Sequence, residues 1–177
     1  MTRRRIRYCV AASLDGYIAG PGGKFDWILM DPDIDFAGLT EQFDIYFMGR
    51  RTFEVAGGGQ STAPGKRTFV FSRTLRQDDH PNVTIVGDDW REVVRALRGK
   101  DGKDIWLFGG GSLFRSLAEE DLVDTVEVTV IPIVLGGGTP LIEEPAERIR
   151  LTLTDHRIYE KTGTVSLTYA VSPADPD

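Results

Sequence analysis

The sequence predicts an α/β domain: a mostly parallel central sheet of about eight strands, helices on both faces, and an antiparallel hairpin at the C-terminal edge. Three observations predict it. Short apolar runs without alternation, such as Ile105, Trp106, Leu107 and Phe108, have the pattern of strands buried on both faces. Two such runs lead directly through glycine, at Gly49 and at Gly109, into a helical pattern. Near the end, segments 151–159 and 164–171 alternate with period two across Lys161, Thr162 and Gly163, which is a hairpin signal. Strand–helix units followed by a hairpin give a parallel sheet with an antiparallel edge.

The elements follow in order. Residues 5–12 read as the first strand, and 13–23 as a long glycine-punctuated loop. Asp31 and Pro32 read as the cap and first position of a helix whose apolar side carries Ile34, Ala37, Leu39 and Phe43. Residues 44–48 form the next strand, and Gly49 opens a helix with Arg50, Arg51, Thr52, Phe53 and Glu54. That helix ends in a glycine loop at 57–61. Residues 67–72 and 83–86 read as further strands, and 88–97 as an amphipathic helix with Trp90, Val93, Val94 and Leu97 on its apolar side. Residues 104–108 form a strand, and Ser112, Leu113, Phe114 and Leu117 suit one face of the helix after it. Residues 124–134 read as a long strand, interrupted at Pro132, with a second glycine loop at 136–138.

Composition narrows the function. A chain of 177 residues, 41% hydrophobic and 27% charged, fits one globular domain, expected over 1–172 with a flexible tail at 173–177. No apolar run approaches the roughly 20 residues needed to span a bilayer, so no membrane role is expected. A net charge of −6 argues against a nucleic-acid surface. The single cysteine, Cys9, fits a reducing cytoplasm and reads as a buried thiol in the first strand. His80 and His156 have no ligand-spaced companions, so no metal site is expected. Any chemistry therefore rests on a redox cofactor or on placed carboxylates.

In an open α/β sheet a ligand lies beyond the carboxyl ends of the strands. Three such ends here suit phosphates. Gly49, Arg50, Arg51 and Thr52 form a helix opening with two guanidiniums and a hydroxyl. Ser72 and Arg73 follow the third strand. Gly109, Gly110, Gly111 and Ser112 form a second helix opening. Helix N-termini favour anions, and glycine lets a ligand approach the backbone closely; the same glycines equally suit tight helix–strand packing. Arginine's planar fork suits a diphosphate plus an extra ribose phosphate, which points to NADPH rather than NADH.

On these pieces, together with Ser13, Leu14, Asp15, Gly16, Tyr17, Ile18 and Ala19, the chain resembles the dihydrofolate reductase fold family. It is most similar to stand-alone proteins related to the reductase domain of bacterial riboflavin-biosynthesis enzymes. The resemblance implies a three-layer dihydrofolate reductase-like fold. It implies that Ala12 and Ile18 line the nicotinamide, with Trp27 on the cofactor side. Residues 49–52 and 109–113, including Leu113, would hold the diphosphate and riboses. Ser72 and Arg73 would hold the 2′-phosphate, with Gly87 near the adenine. There are departures: Phe108 stands where the riboflavin branch has a substrate-facing glutamate, and Ala56 where it has another acid. The deaminase signatures of the fused enzymes are absent from the sequence.

The resemblance implies an NADPH-dependent reductase of a pyrimidine- or pteridine-like heterocycle, with 5-amino-6-(5-phosphoribosylamino)uracil reductase-like activity foremost. Alternatives are dihydrofolate reductase-like activity and a nucleotide-binding module without efficient catalysis. Asp33 falls near the folate branch's lone helix acid and is the first candidate proton donor, with Asp15 and Asp35 behind it. Asp15 also suits a turn before Gly16. Phe108 and Trp27 offer stacking surfaces for the substrate. The apolar alternation at 126–134 and the edge hairpin leave room for a homodimer.

Overall fold

The computed structural model describes residues 3–58, 65–144 and 148–172; the expected tail at 173–177 lies outside them, as does part of the 57–61 glycine loop. The strands are β1 (Ile6–Ser13), β2 (Tyr17–Ala19), β3 (Phe43–Gly49), β4 (Arg67–Phe71), β5 (Thr84–Val86), β6 (Asp104–Gly109), β7 (Thr125–Ile131), β8 (Thr139–Pro140), β9 (Leu151–Tyr159) and β10 (Thr164–Val171). The helices are α1 (Phe36–Glu41), α2 (Arg50–Val55), α3 (Trp90–Arg98) and α4 (Gly111–Ala118). Eight strands share one sheet in the order β5-β4-β3-β6-β1-β7-β10-β9. Neighbours from β5 to β7 run parallel, and β10 is antiparallel to both β7 and β9.

Strand alternation sends successive side chains to opposite faces. On one face, Ile6, Tyr8, Ile45, Phe47, Leu107 and Val126 pack under α3 and α4. Phe114 of α4 stacks on Tyr8 with ring centroids 4.6 Å apart, and the Tyr8 hydroxyl donates to the Leu141 carbonyl at 2.7 Å. On the other face, Leu39 of α1 packs with Phe43, Tyr46 and Trp106, and Phe53 of α2 packs on Val70 and Val83. α1 and α2 are short, so this second face stays partly open. At the far end of the strands, buried Arg4 makes a bidentate pair with Asp44, and buried Arg98 pairs with Asp124 at 2.7 Å.

Two expectations are corrected. The helix read from Asp31 and Pro32 begins later, at Phe36, where Asp35 is the cap and accepts the Gly38 N–H at 2.8 Å. Asp31 is instead buried and accepts from the Asp33 N–H and from the Thr162 hydroxyl, a partner far away in sequence. The long strand ends at Ile131 rather than at 134, because Pro132 has no N–H to extend the ladder. The 13–23 loop also contains a strand: β2 pairs antiparallel with β8, which joins the two glycine-rich loops.

Phe114 is almost fully buried, so Phe114→Ala leaves a cavity under α4. We expect a loss of about 3–5 kcal/mol in urea denaturation, against little change for a substitution at exposed Ser112.

Candidate functional site

The sheet register brings the strand ends together. Met48 of β3 lies opposite Gly109 of β6, Gly49 opposite Phe71 of β4, and Phe71 opposite Val86 of β5. Gly49, Ser72, Gly87 and Gly109 therefore leave one edge of the sheet. A Cβ placed on Gly49 would stand 3.7 Å from the Gly109 carbonyl and 3.8 Å from the Gly110 nitrogen. On Gly110 it would stand 3.7 Å from the Thr52 hydroxyl, so the two helix openings face one another. Gly49 and Gly110 are the caps of α2 and α4, and neither supplies a side chain to the first turn. Gly109 has φ +143, a backbone conformation that favours glycine. Gly111 has a packing role: a Cβ there would meet the Glu143 nitrogen and Pro140 carbonyl at 3.0 Å.

A cavity of about 1740 Å³ runs along this edge and onto the open face of the sheet. Most expected residues line it. Gly49, Arg50, Arg51 and Thr52 form one stretch of wall, and Gly110, Gly111, Ser112 and Leu113 the next. Ser72, Arg73 and Gly87 extend it, and Ile18 and Phe108 line it beside Gly110. The cations are loosely held. Arg50 pairs with Glu54 at 3.2 Å and Arg73 with Asp88 at 3.0 Å, both on the surface, where such pairs contribute little. Arg51 has no carboxylate partner among the described residues. The Ser72 hydroxyl accepts from the Thr74 and Leu75 N–H groups and so sets the turn that carries Arg73.

Other expected residues lie outside the lining. The Ala12 side chain is in the core, and Val10 and Ala11 line the cavity instead. Trp27 donates its ring N–H to the Lys24 carbonyl at 3.0 Å, and Phe25, Ile28, Leu29 and Met30 from its loop are the lining groups. Gly109 supports the opening from behind it. Asp15 accepts from the Leu135 and Gly136 N–H groups, tying its turn to the glycine loop. A hydrogen bond from Ser13, then these backbone bonds, hold the Asp15 carboxyl below its usual range. Asp33 accepts from the Lys161 ammonium at 2.7 Å, at the hairpin tip. Asp35, two residues on, does line the cavity.

Of the floor, Phe108 was expected and the rest was not foreseen. Tyr46, Trp106 and Phe108 make an aromatic half, with Trp106 5.5 Å from Tyr46 and 5.3 Å from Phe108. Phe36 closes on Trp106 at 6.1 Å, and the Trp106 N–H donates to the Cys9 carbonyl at 2.8 Å. Beyond Cys9 the floor turns polar. Glu127 accepts two bonds from Arg7, at 2.6 and 2.7 Å, and Arg7 also donates to Gln42 at 2.6 Å. Burial opposes ionisation of Glu127, but the Arg7 hydrogen bonds and charge outweigh it and hold the carboxyl below its usual range. Burial, and then the Glu127 charge, push the Cys9 thiol well up, as suits an unreactive buried thiol. The signal for this floor was the alternation of Arg7, Cys9 and Ala11, but it needs the β1–β7 register to be read.

The model of the RibD C-terminal domain family matches residues 4–164. The uncharacterized protein YyaP of Bacillus subtilis (strain 168) is 34% identical over 182 aligned positions, covering 96% of each chain. A Shewanella sp. PV-4 protein, provisionally named for riboflavin biosynthesis, superposes with a TM-score of 0.80 at 28% identity, over 96% of this chain and 99% of that one. The dihydrofolate reductase of Enterococcus faecalis, solved with NADP(H), superposes with a TM-score of 0.71 at 19% identity, over 96% of this chain and 97% of that one. The fold is therefore the dihydrofolate reductase-like one that the sequence suggested.

The Arg7–Glu127 pair has a pH signature. A carboxyl lowered in the folded state stabilises above its unfolded value, near 4.5, and the contribution is lost as pH falls through the folded value. Glu127→Gln leaves the Arg7 charge with its longer contact to Asp104, 3.3 Å away, and costs about 3 kcal/mol near neutral pH. In denaturation series at several pH values, the gap between wild type and variant is expected to narrow as pH falls below that range.

Proposed function

The chain belongs to the RibD C-terminal domain family, and we propose that it is an NADPH-dependent reductase of a pyrimidine- or pteridine-like heterocycle. The observation that carries the reading is the meeting of two glycine-led helix openings on one wall of the cavity, with three arginines beside them. Neither opening has a side-chain cap, so first-turn N–H groups are left for a ligand, and a methyl group on Gly49 or Gly110 would project between them. These residues fit a diphosphate. Residues 49–52 and 110–113 would hold it, and Ser72 and Arg73 would take a 2′-phosphate. Gly87 would border the adenine, and Ile18 with the β1 backbone at Ala11 and Ala12 the nicotinamide.

When bound, NADPH supplies a hydride to the carbon of a C=N or C=O bond in the substrate. The chain must position that bond and bring a proton to its other atom. The aromatic half of the floor offers stacking surfaces for a flat ring, and the loop carrying Phe25, Leu29 and Met30 adds apolar lining. Asp33 is engaged by Lys161, whereas Asp35 lines the cavity. On this reading Asp35 relays a proton from water, a role its place in the cavity lining supports. The finer reading is an activity like reduction of 5-amino-6-(5-phosphoribosylamino)uracil in riboflavin biosynthesis.

Two measurements test this. Arg73→Ala is expected to weaken NADPH binding about tenfold or more in a tryptophan fluorescence titration, the scale of a lost charge-assisted hydrogen bond. NADH binding is expected to change less than about twofold; equal losses would contradict the 2′-phosphate role. Asn keeps the capping bond of Asp35, so Asp35→Asn tests chemistry rather than folding. Followed by the loss of NADPH absorbance, it should lower kcat about 100-fold, while Asp33→Asn stays within about twofold of wild type.

A further inference from the structure

The two edges of the sheet differ in length. β5 has three residues, whereas β9 has nine, spans about 30 Å and has no strand beyond it. A long open edge offers unpaired N–H and C=O groups to another strand. Neither proline nor lysine blunts this one.

A bulge sorts the side chains of β9. Thr168 of β10 pairs with Asp155 and Tyr169 with Leu153, so Thr154 is the extra residue. Leu153 and Ile158 are an odd number of positions apart and would otherwise lie on opposite faces. With the bulge they share the helix side of the sheet, paired with Tyr169 and Val165, and Leu151 joins them opposite Val171. Leu153 is 50% exposed and Ile158 63%. The open face of β9 carries Asp155 and Arg157. Neither has an ion-pair partner among the described residues. Asp155 accepts from the His156 N–H at 2.8 Å, and the Arg157 guanidinium lies over the Tyr159 ring of its own strand at 4.7 Å.

This strand is complementary to itself. Two copies of β9, paired antiparallel about a two-fold axis at His156, bring Asp155 of each copy opposite Arg157 of the other. Thr154 again takes up one position, so Leu153 of each copy lies opposite Ile158 of the other. Opposite charges then meet on the open face and apolar side chains on the helix side, the cross-strand pairs that stabilise a sheet. A contact of this kind uses the same patch on both copies and closes at two.

We infer that β9 is the interface of a homodimer, in which a second copy of this chain pairs antiparallel through Asp155 and Arg157 and the two sheets become one. The dimer is independent of the reductase reading, but it borders the cavity. Arg157 and Tyr159 belong to the cavity lining, so Asp155 of the second copy stands beside that part of the wall.

The test is analytical ultracentrifugation of the full chain at a pH of about 8, where the histidines at the axis are uncharged. Wild type is expected to sediment as a dimer at micromolar concentration. Asp155→Arg and Arg157→Asp each set like charges opposite one another at two places, and each is expected to weaken self-association at least about tenfold. Mixed in equal amounts, the two variants match again and are expected to form a mixed dimer about as tight as wild type. Ile158→Asp disrupts the helix side independently and keeps the test open should either charge variant misfold; it too is expected to sediment as a monomer. A monomeric wild type, variants that dimerise as wild type does, or a mixture of folded charge variants that stays monomeric each overturn the proposal.

Discussion

Everything proposed for the reductase site depends on the register between β3 and β6. These parallel strands are hydrogen-bonded neighbours although they are far apart in sequence, and Met48 lies opposite Gly109. Two helices consequently start side by side, about one strand spacing apart. A slip of one residue would turn every side chain of β3 to the wrong face. Ile45 and Phe47 prevent it: both are fully buried under the helices of one face, and Tyr46 of the same strand is held against Trp106 on the other face. The fold thus spends its best-packed residues on holding two backbone turns at a fixed distance.

The two ends of the cavity are set up for different partners. Towards the cofactor wall the arginines are exposed and weakly paired, so they exchange one anion for another at little cost. On the floor the opposite holds. Arg7 and Glu127 satisfy one another in a mostly buried, bidentate contact that leaves no charge for a ligand. Mobile charge therefore lies where we propose that the cofactor docks, and fixed charge lies where the sheet needs bracing. The aromatic half, with Tyr46, Trp106 and Phe108, favours stacking of a flat ring.

Much of this was legible in the sequence where the signal is local. The terminal hairpin has the bounds its alternation suggests, 151–159 and 164–171, because period two needs no distant information. The glycine openings were readable for the same reason. The start of α1 was misread because Asp31 and Pro32 make a plausible cap, whereas Asp31 answers to Thr162, 131 residues away. The cavity floor was hidden for a similar reason: Arg7 and Glu127 meet only through the β1–β7 pairing, 120 residues apart. Trp27 and Asp33 sit near the cavity in sequence order, but a local bond to Lys24 and a bond to Lys161, 128 residues away, draw their polar atoms elsewhere.

The central claim is that one dinucleotide touches both helix openings at once. The most direct measurement is an NMR titration of the isotope-labelled protein with NADPH, following the backbone amides of 49–52 and 110–113. The account predicts that both groups of amides shift along a single binding curve. A response from only one group, or two groups saturating at different NADPH concentrations, would contradict it.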